Sequence, residues 1–314
     1  MTKVVFMGTP ELAVTPLQAL IIHPDFEVVA VVTQEDKKVG RKQILTPPPV
    51  KIAAEEHNIP VLQPSTLKNN EEFQEDLEKL APDFFVVVAY GQILPAEILE
   101  IPNEKPINIH FSLLPQYRGA SPIESAFLAN DQETGITFIE MTQKMDAGPI
   151  LHLERVKISK EDNAETMREK LSIMSGQLVP TVLQDILDEV AMPIHQDESH
   201  ASYCHKISKE DGIINLQTMT AQEIHNRVRA YTPWPSCFLY LGDKKLKLIE
   251  IDVEESDSAQ PGKIIDKEEG IAIGTKAGLI IPKKVQLQGK REMDLQDFLR
   301  GNRSLLNELL TTPR

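Results

Sequence analysis

The stretch PINIHFSLLPQYRGASP, residues 106–122, decides the fold and carries the polar side chains most suggestive of chemistry. In residues 106–113, apolar side chains alternate with Asn108, His110 and Ser112. A period of two predicts a short buried strand, with Asn108 and His110 on one face near its end. Ligands of open α/β sheets bind beyond the carboxyl ends of the strands, so this is a candidate reaction site. The alternative is two satisfied polar residues on a half-exposed edge strand.

The residues before this stretch alternate between strand-like and helical patterns. Near-continuous apolar runs occupy residues 3–7, 27–33 and 83–90, and helical patterns lie between them. Continuous apolar strands connected by helices predict a parallel sheet covered by helices on both faces. The first run is followed by GTPELA, which lacks the second and third glycines of a dinucleotide-binding fingerprint. A nicotinamide dehydrogenase is therefore disfavoured.

The C-terminal third has a different texture. A helical segment is predicted over 163–190, interrupted at Pro180, and a polar passage with three histidines follows over 195–212. The five-residue spacing of those histidines suits neither a helix face nor a strand face, so no metal site is predicted. The predicted organisation is a first domain over 1–190, a linker over 191–207 and a second domain over 208–314. Five short strands in that second domain indicate a small, OB-like β-barrel; they span residues 238–241, 245–251, 262–266, 271–274 and 279–283.

Composition limits the classes of protein this chain can be. It has 314 residues, a net charge of −14 and two cysteines, with no secretory h-region and no apolar run long enough to span a bilayer. A cytoplasmic protein without a disulfide framework or zinc site is expected. Residues 1–200 hold 16 basic and 31 acidic side chains, whereas residues 201–314 hold 17 and 16. This balance argues against indiscriminate nucleic-acid binding but permits a local anionic partner.

Two further segments carry polar groups of interest. Residues 34–49, QEDKKVGRKQILTPPP, contain four basic side chains and a proline run, which predicts a functional loop without regular structure. Asp146 lies in MTQKMDAGP, after a predicted strand. Its carboxylate either bonds its own turn or folds back beside Asn108 and His110.

If Asp146 does fold back, the three side chains suit acyl-type chemistry. A carboxamide and an imidazolium can donate hydrogen bonds to a developing oxyanion, and a neighbouring carboxylate stabilises the imidazolium. No serine or cysteine nucleophile is positioned with them. Direct transfer between two bound substrates is therefore favoured over a covalent acyl-enzyme.

Several motifs carry a family resemblance. The segments NIHFSLLPQYRGASPI, MDAGPIL, VVFMGTPELA and VVAYGQILP closely resemble the methionyl-tRNA formyltransferase family, and so do KISKEDGIIN, RAYTPWPS and QLQGKREM in the C-terminal third. The N-terminal motifs are shared with other enzymes that use 10-formyltetrahydrofolate. The C-terminal motifs indicate the tRNA enzyme. The resemblance implies a Rossmann-like domain, an OB-like barrel, and formyl transfer to the α-amino group of methionine on initiator tRNA. The protein is expected to be a monomer.

The resemblance also assigns roles to residues. Asn108 and protonated His110 would stabilise the oxyanion, and Asp146 would hold His110 protonated and help take the proton of the attacking amine. Folate would be bound by Val88, Tyr90, Gly91, Ser112, Leu113, Leu114 and Pro115. The tRNA contacts would come from Arg41, Lys37, Lys38, Lys42, Lys206 and Lys209, with Lys283, Lys284, Lys290 and Arg291 as weaker candidates.

The sequence departs from the family pattern at two places. Phe111 stands where the family usually has proline, and GRKQIL replaces a GRGKKL-like run. Two other functions stay open beside the one that the resemblance implies. One is a folate-dependent formyltransferase acting on a small amine such as a nucleotide sugar, and the other is a catalytically silent nucleic-acid-binding protein.

Overall fold

The computed structural model describes residues 1–40, 42–241, 243–257, 260–268, 270–302 and 310–311. The chain divides into two compact units. The first consists of Met1–Pro122, Glu133–Lys157 and Arg168–Cys204, and the second of Ile123–Gln132, Ile158–Met167 and His205–Arg314.

Residues 1–204 contain eleven strands and six α-helices among the described residues. The strands are β1 (Thr2–Gly8), β2 (Phe26–Val32), β3 (Lys37–Val39), β4 (Ile44–Thr46), β5 (Val61–Leu62), β6 (Phe84–Val88), β7 (Lys105–His110), β8 (Arg118–Gly119), β9 (Glu133–Glu140), β10 (Ile150–Lys157) and β11 (Tyr203–Cys204). The helices are α1 (Val14–Ile22), α2 (Pro49–Glu56), α3 (Glu71–Leu80), α4 (Ala96–Leu99), α5 (Pro122–Leu128) and α6 (Ala164–Leu187).

The first unit is built on a seven-stranded, mostly parallel sheet. Its strand order is β10-β9-β7-β6-β1-β2-β5, in which β9 is antiparallel to β7 and to β10. The chain runs outward from β1 to β2 and β5, then returns to the other side of β1 with β6. This reversal makes a topological switch point between β1 and β6, where the carboxyl ends of parallel strands leave a crevice. The predicted α/β, Rossmann-like fold class is confirmed.

Burial explains why the central strands form. The side chains of β6 are all buried, and the chain from Val4 to Gly8 in β1 is also buried. Strands covered on both faces need apolar residues at every position rather than at alternate ones. Helix α3 has a different pattern: Asn70 Oδ1 caps it by accepting from Phe73 N at 3.1 Å, and only Phe73 and Leu77 are buried.

Strand β7 ends earlier than the sequence predicts. The predicted strand extends to residue 113, but β7 stops at His110. The reason is that Thr137 on β9 takes over the next backbone groups, donating from Oγ1 to Ser112 O at 2.6 Å and accepting from Leu114 N at 3.2 Å. The chain therefore leaves the sheet immediately after the two polar side chains of β7.

The basic loop over 34–49 is wrongly predicted to lack regular structure. Its two short strands, β3 and β4, pair antiparallel with Lys37 opposite Thr46 and Val39 opposite Ile44. Gly40 has φ +72° in the turn, a backbone conformation that glycine adopts without steric cost. The three prolines follow β4 and begin α2, so they leave the hairpin intact.

The predicted interruption at Pro180 is also wrong, because α6 continues from Ala164 to Leu187 with Pro180 inside it. Val179, Val182 and Leu183 are buried around the proline. Their packing offsets the backbone hydrogen bond that a proline cannot donate.

The second unit contains an antiparallel, barrel-like sheet and two helices among its described residues from 205 onward. The elements are α7 (Ala221–Ala230), β12 (Cys237–Leu241), β13 (Lys244–Glu254), β14 (Ile264–Lys267), β15 (Gly270–Gly274), β16 (Leu279–Leu287), β17 (Met293–Asp294), α8 (Leu295–Asn302) and β18 (Leu310–Thr311). The sheet order is β14-β15-β16-β13-β12-β18, and β17 pairs with β16. The five strands predicted in this region are β12 to β16.

Residues 194–204, inside the predicted linker, are ordered parts of the first unit. Ile194 pairs with Ile150, and β11 pairs with β8. The first unit thus reaches Cys204, beyond the predicted end at residue 190. These pairings use backbone groups, so polar composition alone did not indicate them. Within the described part of the chain, no helix combines the length and apolarity needed to cross a membrane.

Replacing Gly135 with alanine is expected to destabilise the first unit by about 1–3 kcal/mol, because an added methyl group overpacks a close crossing. A Cβ at Gly135 would lie 2.1 Å from Glu154 O and 2.4 Å from Leu113 Cδ2. Urea unfolding measures the loss, and hydrogen exchange should localise it to β9 and β10. Gly301→Ala is the control, since a Cβ there meets nothing within 4 Å. Equal protection of β9 and β10 in both variants would contradict this prediction.

Candidate active site

Three polar side chains converge at the carboxyl end of β7. Asn108 Nδ2 donates to Asp146 Oδ1 at 3.3 Å, and His110 Nδ1 lies 3.6 Å from Asp146 Oδ2. Asn108 and His110 are two residues apart on β7, so their side chains project in the same direction. Asp146 reaches them from the loop between β9 and β10. The structure therefore brings together all three residues that the sequence analysis selects for catalysis.

The hydrogen bonds of His110 fix which ring nitrogen can exchange a proton. His110 is 5% exposed, and its Nε2 lies 3.0 Å from Tyr117 O. Because a carbonyl oxygen only accepts, Nε2 must carry a hydrogen. Nδ1 is thus the nitrogen that can gain or lose a proton beside Asp146. A carboxylate also only accepts, so this contact strengthens when Nδ1 is protonated.

The backbone around Asp146 aims its carboxylate at β7. Asp146 has φ +50°, a left-handed conformation that aspartate tolerates better than most residues. Its Oδ2 accepts from Gly119 N at 2.8 Å. Gly119 itself has φ +119°, and a Cβ there would lie 2.3 Å from Cys204 O. Only glycine fits this close pairing of β8 with β11.

A second layer of polar residues surrounds the Asp146 loop. Arg118 is fully buried and donates to Gln196, to Glu198 and to Tyr203 Oη. Hydrogen bonds first from Arg118 and then from Lys144 lower the pKa of Glu198 to about 2, so Glu198 is ionised at neutral pH. These groups are not among the site residues predicted from the sequence. The sequence shows Arg118 between Tyr117 and Gly119 but not its burial, and it is the burial that requires polar partners.

The predicted folate-binding loop follows β7 directly. Ser112 is fully buried and donates from Oγ to Gln116 O at 2.6 Å. Leu114 is buried and the Leu114–Pro115 peptide is cis, whereas Leu113 and Pro115 are half-buried. With Thr137 bonded to Ser112 O and Leu114 N, the loop is held by side chains rather than by a strand partner.

The other predicted folate-binding residues follow β6, the strand beside β7. Val88 is the last residue of that strand. Tyr90 is buried, and this burial raises the pKa of its hydroxyl group to about 12. Tyr90 O accepts from Thr9 Oγ1 at 2.9 Å and from Gln34 Nε2 at 3.0 Å, which joins the chain after β6 to that after β1 and β2. Gly91 has φ +89°, and a Cβ there would meet Gln34 Nε2 at 2.3 Å. Both predicted folate-binding segments thus follow adjacent strands, β6 and β7, and β6 borders the switch point.

The basic hairpin β3–β4 presents its lysines to solvent. Lys37, Lys38 and Lys42 are exposed, whereas Arg41 lies outside the described residues. The base of the hairpin is fixed by a polar network. Lys51 Nζ contacts both oxygens of Asp36 at 2.9 and 3.0 Å, and Gln63 Nε2 donates to Asp36 Oδ1 at 2.9 Å. These hydrogen bonds lower the pKa of Asp36, and the bond from Gln63 has the largest effect.

The remaining predicted tRNA contacts lie in the second unit. Lys206 and Lys209 are exposed, and Lys209 precedes the 3-10 turn Glu210–Gly212. Among the weaker candidates, Lys290 and Arg291 are exposed, Lys284 is half-buried, and Lys283 Nζ lies 3.2 Å from Asp252 Oδ2. That carboxylate partly neutralises Lys283. No group of three or more His, Cys, Asp or Glu side chains in the described ranges is arranged to hold a metal ion.

The geometry suits attack by an amine on a carbonyl carbon. Asn108 supplies a hydrogen-bond donor for an oxyanion, the imidazole of His110 brings positive charge near it when protonated, and Asp146 supplies a carboxylate base. His110 contacts Tyr117 O and Asp146 Oδ2, an arrangement that favours direct attack by the amine over a covalent acyl-enzyme.

Comparison with known proteins agrees with this chemistry. The Formyl transferase family model matches residues 2–183, and the Formyl transferase, C-terminal domain model matches residues 206–303. The methionyl-tRNA formyltransferase of Caldicellulosiruptor saccharolyticus is 44% identical, over 98% of this chain and 99% of its own. That of Nitratiruptor sp. is 48% identical, over 96% of this chain and 97% of its own.

A solved structure shows the same fold at lower identity. The N-formyltransferase from Helicobacter canadensis, crystallised in complex with folinic acid and dTDP-3-aminofucose, superposes with a TM-score of 0.65. It is 22% identical and covers 90% of this chain and 99% of its own. With both family models matched and near-complete relatives above 40% identity, the chain belongs to the methionyl-tRNA formyltransferase family.

Proposed function

We propose that this enzyme transfers the formyl group of 10-formyltetrahydrofolate to the α-amino group of methionine on initiator Met-tRNA. The observation that carries the proposal is the convergence of Asn108, His110 and Asp146 beside two loops at the switch point of the sheet. The near-complete relatives named methionyl-tRNA formyltransferase support the choice of acceptor.

The proposed reaction is a direct displacement at the formyl carbon. The amine nitrogen forms a bond to that carbon, and the carbonyl oxygen becomes an oxyanion. Collapse of the tetrahedral intermediate breaks the bond to N10 of the folate, which leaves as tetrahydrofolate after taking a proton. The attacking nitrogen loses one proton in the same sequence, so charge and atoms balance.

Each catalytic side chain has a distinct task in this sequence. Asn108 Nδ2 has two hydrogens and gives one to Asp146, which leaves the other for the oxyanion. Protonated His110 adds positive charge next to that oxygen. Asp146 holds the charged imidazole and, through water, accepts the proton of the attacking amine. Preorganised donors of this kind act where charge develops and need no reorganisation during the reaction.

The folate cosubstrate is assigned to the two loops that follow β6 and β7. The stiff, partly apolar turn of Leu113, Leu114 and Pro115 suits one face of a flat pterin, and backbone groups near Val88, Tyr90 and Gly91 suit its polar edge. Ser112 fixes the loop by its bond to Gln116 O. No metal takes part in this scheme.

The tRNA is assigned to basic groups in both parts of the chain. We assign catalysis and folate binding to residues 1–190 and tRNA binding to residues 208–314, with the hairpin lysines and Arg41 reaching the acceptor end. The net charge of −14 means that a polyanion is attracted only along such local basic tracks. Because the proposed acceptor is a tRNA of translation initiation, we place the enzyme in the cytoplasm. We also propose that it acts as a monomer.

Alanine at Asn108, His110 or Asp146 is expected to lower kcat by about 100- to 10,000-fold, because the variants remove the oxyanion donor, the positive charge beside the oxyanion and the base, respectively. Binding of folinic acid, measured by calorimetry, should change far less. Asn103→Ala and His57→Ala are matched controls at exposed positions. Wild-type turnover in His110→Ala would remove this residue from the mechanism.

Removing the hairpin lysines should weaken tRNA binding and its dependence on salt. Each lysine that no longer neutralises a phosphate reduces the slope of log affinity against log salt by about 0.7–0.9. The triple variant Lys37→Ala, Lys38→Ala, Lys42→Ala is compared with Lys79→Ala, which removes a lysine already paired with Asp76. Affinities come from filter binding across a salt series. An unchanged slope in the triple variant would assign the hairpin to another role.

The choice of acceptor is tested by offering three amines side by side. With 10-formyltetrahydrofolate present, Met-charged initiator tRNA should be formylated rapidly, and Met-charged elongator tRNA and an amino sugar nucleotide slowly or not at all. Quantifying formylated product after brief incubation decides between them. Reaction of the sugar nucleotide alone would keep the folate site and reject the tRNA acceptor. Binding of tRNA without transfer to any amine would indicate the catalytically silent alternative.

A further inference from the structure

Gln196 contacts the Asp146 loop through the main chain rather than through the catalytic carboxylate. Its Nε2 donates to Asp146 O at 2.8 Å and to Gly148 O at 2.8 Å. Both hydrogens of the amide are therefore committed to the loop. One of these carbonyls belongs to the residue whose side chain faces Asn108 and His110, and the other lies two residues beyond it.

Arg118 determines which way the amide of Gln196 points. Arg118 Nε and Nη2 lie 3.1 and 2.7 Å from Gln196 Oε1. A guanidinium has donors and no acceptor, so the amide oxygen must face Arg118 and the nitrogen must face the loop. All four hydrogen-bonding positions of the Gln196 amide are then filled, two by Arg118 and two by the loop.

Arg118 is itself held on its other side. It is fully buried, and its Nη1 and Nη2 lie 3.2 and 2.9 Å from the two oxygens of Glu198. Lys144 Nζ, two residues before Asp146, lies 2.6 Å from Glu198 Oε2. The loop is thus bonded to this group of side chains at Lys144, at Asp146 and at Gly148.

The conformation of Asp146 makes such support necessary. Its φ of +50° costs free energy for any residue with a side chain, so neighbouring contacts must hold it. The carboxylate meets Gly119 N, which follows Arg118 directly in β8. Arg118 therefore fixes the loop indirectly, through Gln196. The next residue, Gly119, fixes the carboxylate of Asp146 directly.

We infer that Gln196 is a positioning residue that holds the main chain of Asp146 so that its carboxylate stays between Asn108 and His110. The inference rests on the proposed function, because it gives Gln196 a catalytic effect only through Asp146. Turnover would then depend on Gln196, although Gln196 contacts none of the reacting atoms.

The sharpest variant is Gln196→Glu, which keeps the size of the side chain and a partner for Arg118. It replaces the two N–H donors with an oxygen that faces two carbonyl oxygens, so the loop must move away. A displacement near 1 Å of a catalytic group can cost about 100-fold in rate. We expect kcat for formyl transfer to fall about 10- to 100-fold, with the KM for 10-formyltetrahydrofolate within about twofold of wild type.

A double-mutant cycle separates this role from a general structural one. Gln196→Glu is combined with Asp146→Ala, and rates are measured at single turnover with enzyme in excess so that slow variants are still quantified. Because Gln196 acts through Asp146, it should cause no further loss once Asp146 is alanine. Gln184→Glu, at a residue that bonds Asp188 near the end of α6, is the matched control and should keep wild-type kinetics.

The possible outcomes are distinct. A wild-type kcat in Gln196→Glu, or the same loss in the Asp146→Ala background, would overturn the inference. Wild-type turnover in Asp146→Ala would instead overturn the proposed function. If Gln196→Glu does not fold, Gln196→Met removes the same donors without adding a charge and is subject to the same two criteria.

Discussion

The carboxylate of Asp146 is the interaction on which the rest of the site depends. It accepts from Asn108 on β7 and from the backbone of Gly119, and it lies beside His110 Nδ1. These partners come from separate segments, so the carboxylate ties together the end of a parallel strand, the turn after it and the loop after β9. Two hydrogen bonds thus hold the carboxylate beside the imidazole, in a position where it attracts a protonated ring.

The sheet supplies the positions that this carboxylate joins. Because β1, β6 and β7 are parallel neighbours, their carboxyl ends lie along one edge, with Met7 opposite Val87 and Val87 opposite Asn108. The loops that follow these three strands therefore begin next to one another at that edge. Thr9 and Gln34 bond to the main chain of Tyr90, and this joins the loops at the switch point. A parallel sheet thus places three loops around one site with few residues devoted to connecting them.

Local periodicity explains what could be predicted from the sequence. The period of two placed Asn108 and His110 on one face, and the apolar runs identified the parallel strands, because both patterns depend on neighbours in the chain. The end of β7 at His110 depends instead on Thr137, which is distant in sequence and bonds Ser112 and Leu114. Long-range bonds of this kind leave no local pattern. For the same reason, the local motif around Asp146 predicts a role for its carboxylate, whereas no local pattern indicates that the distant Gln196 amide bonds its main chain.

The hairpin exposes a basic segment on a protein whose net charge is −14. Lys51, near the hairpin base, is paired with Asp36 and bonded to Gln63, so its charge is neutralised inside the fold. Lys38 and Lys42 project from the hairpin and are exposed. Asp36, the acidic residue next to Lys37 in the chain, is therefore paired with a lysine outside the hairpin, and this pair fixes the base of the hairpin at the same time. One ion pair thus serves two purposes: it orients the segment, and it keeps Asp36 away from the charges of the outer lysines, whose field extends over a screening length of about 8–10 Å at 0.10–0.15 M salt.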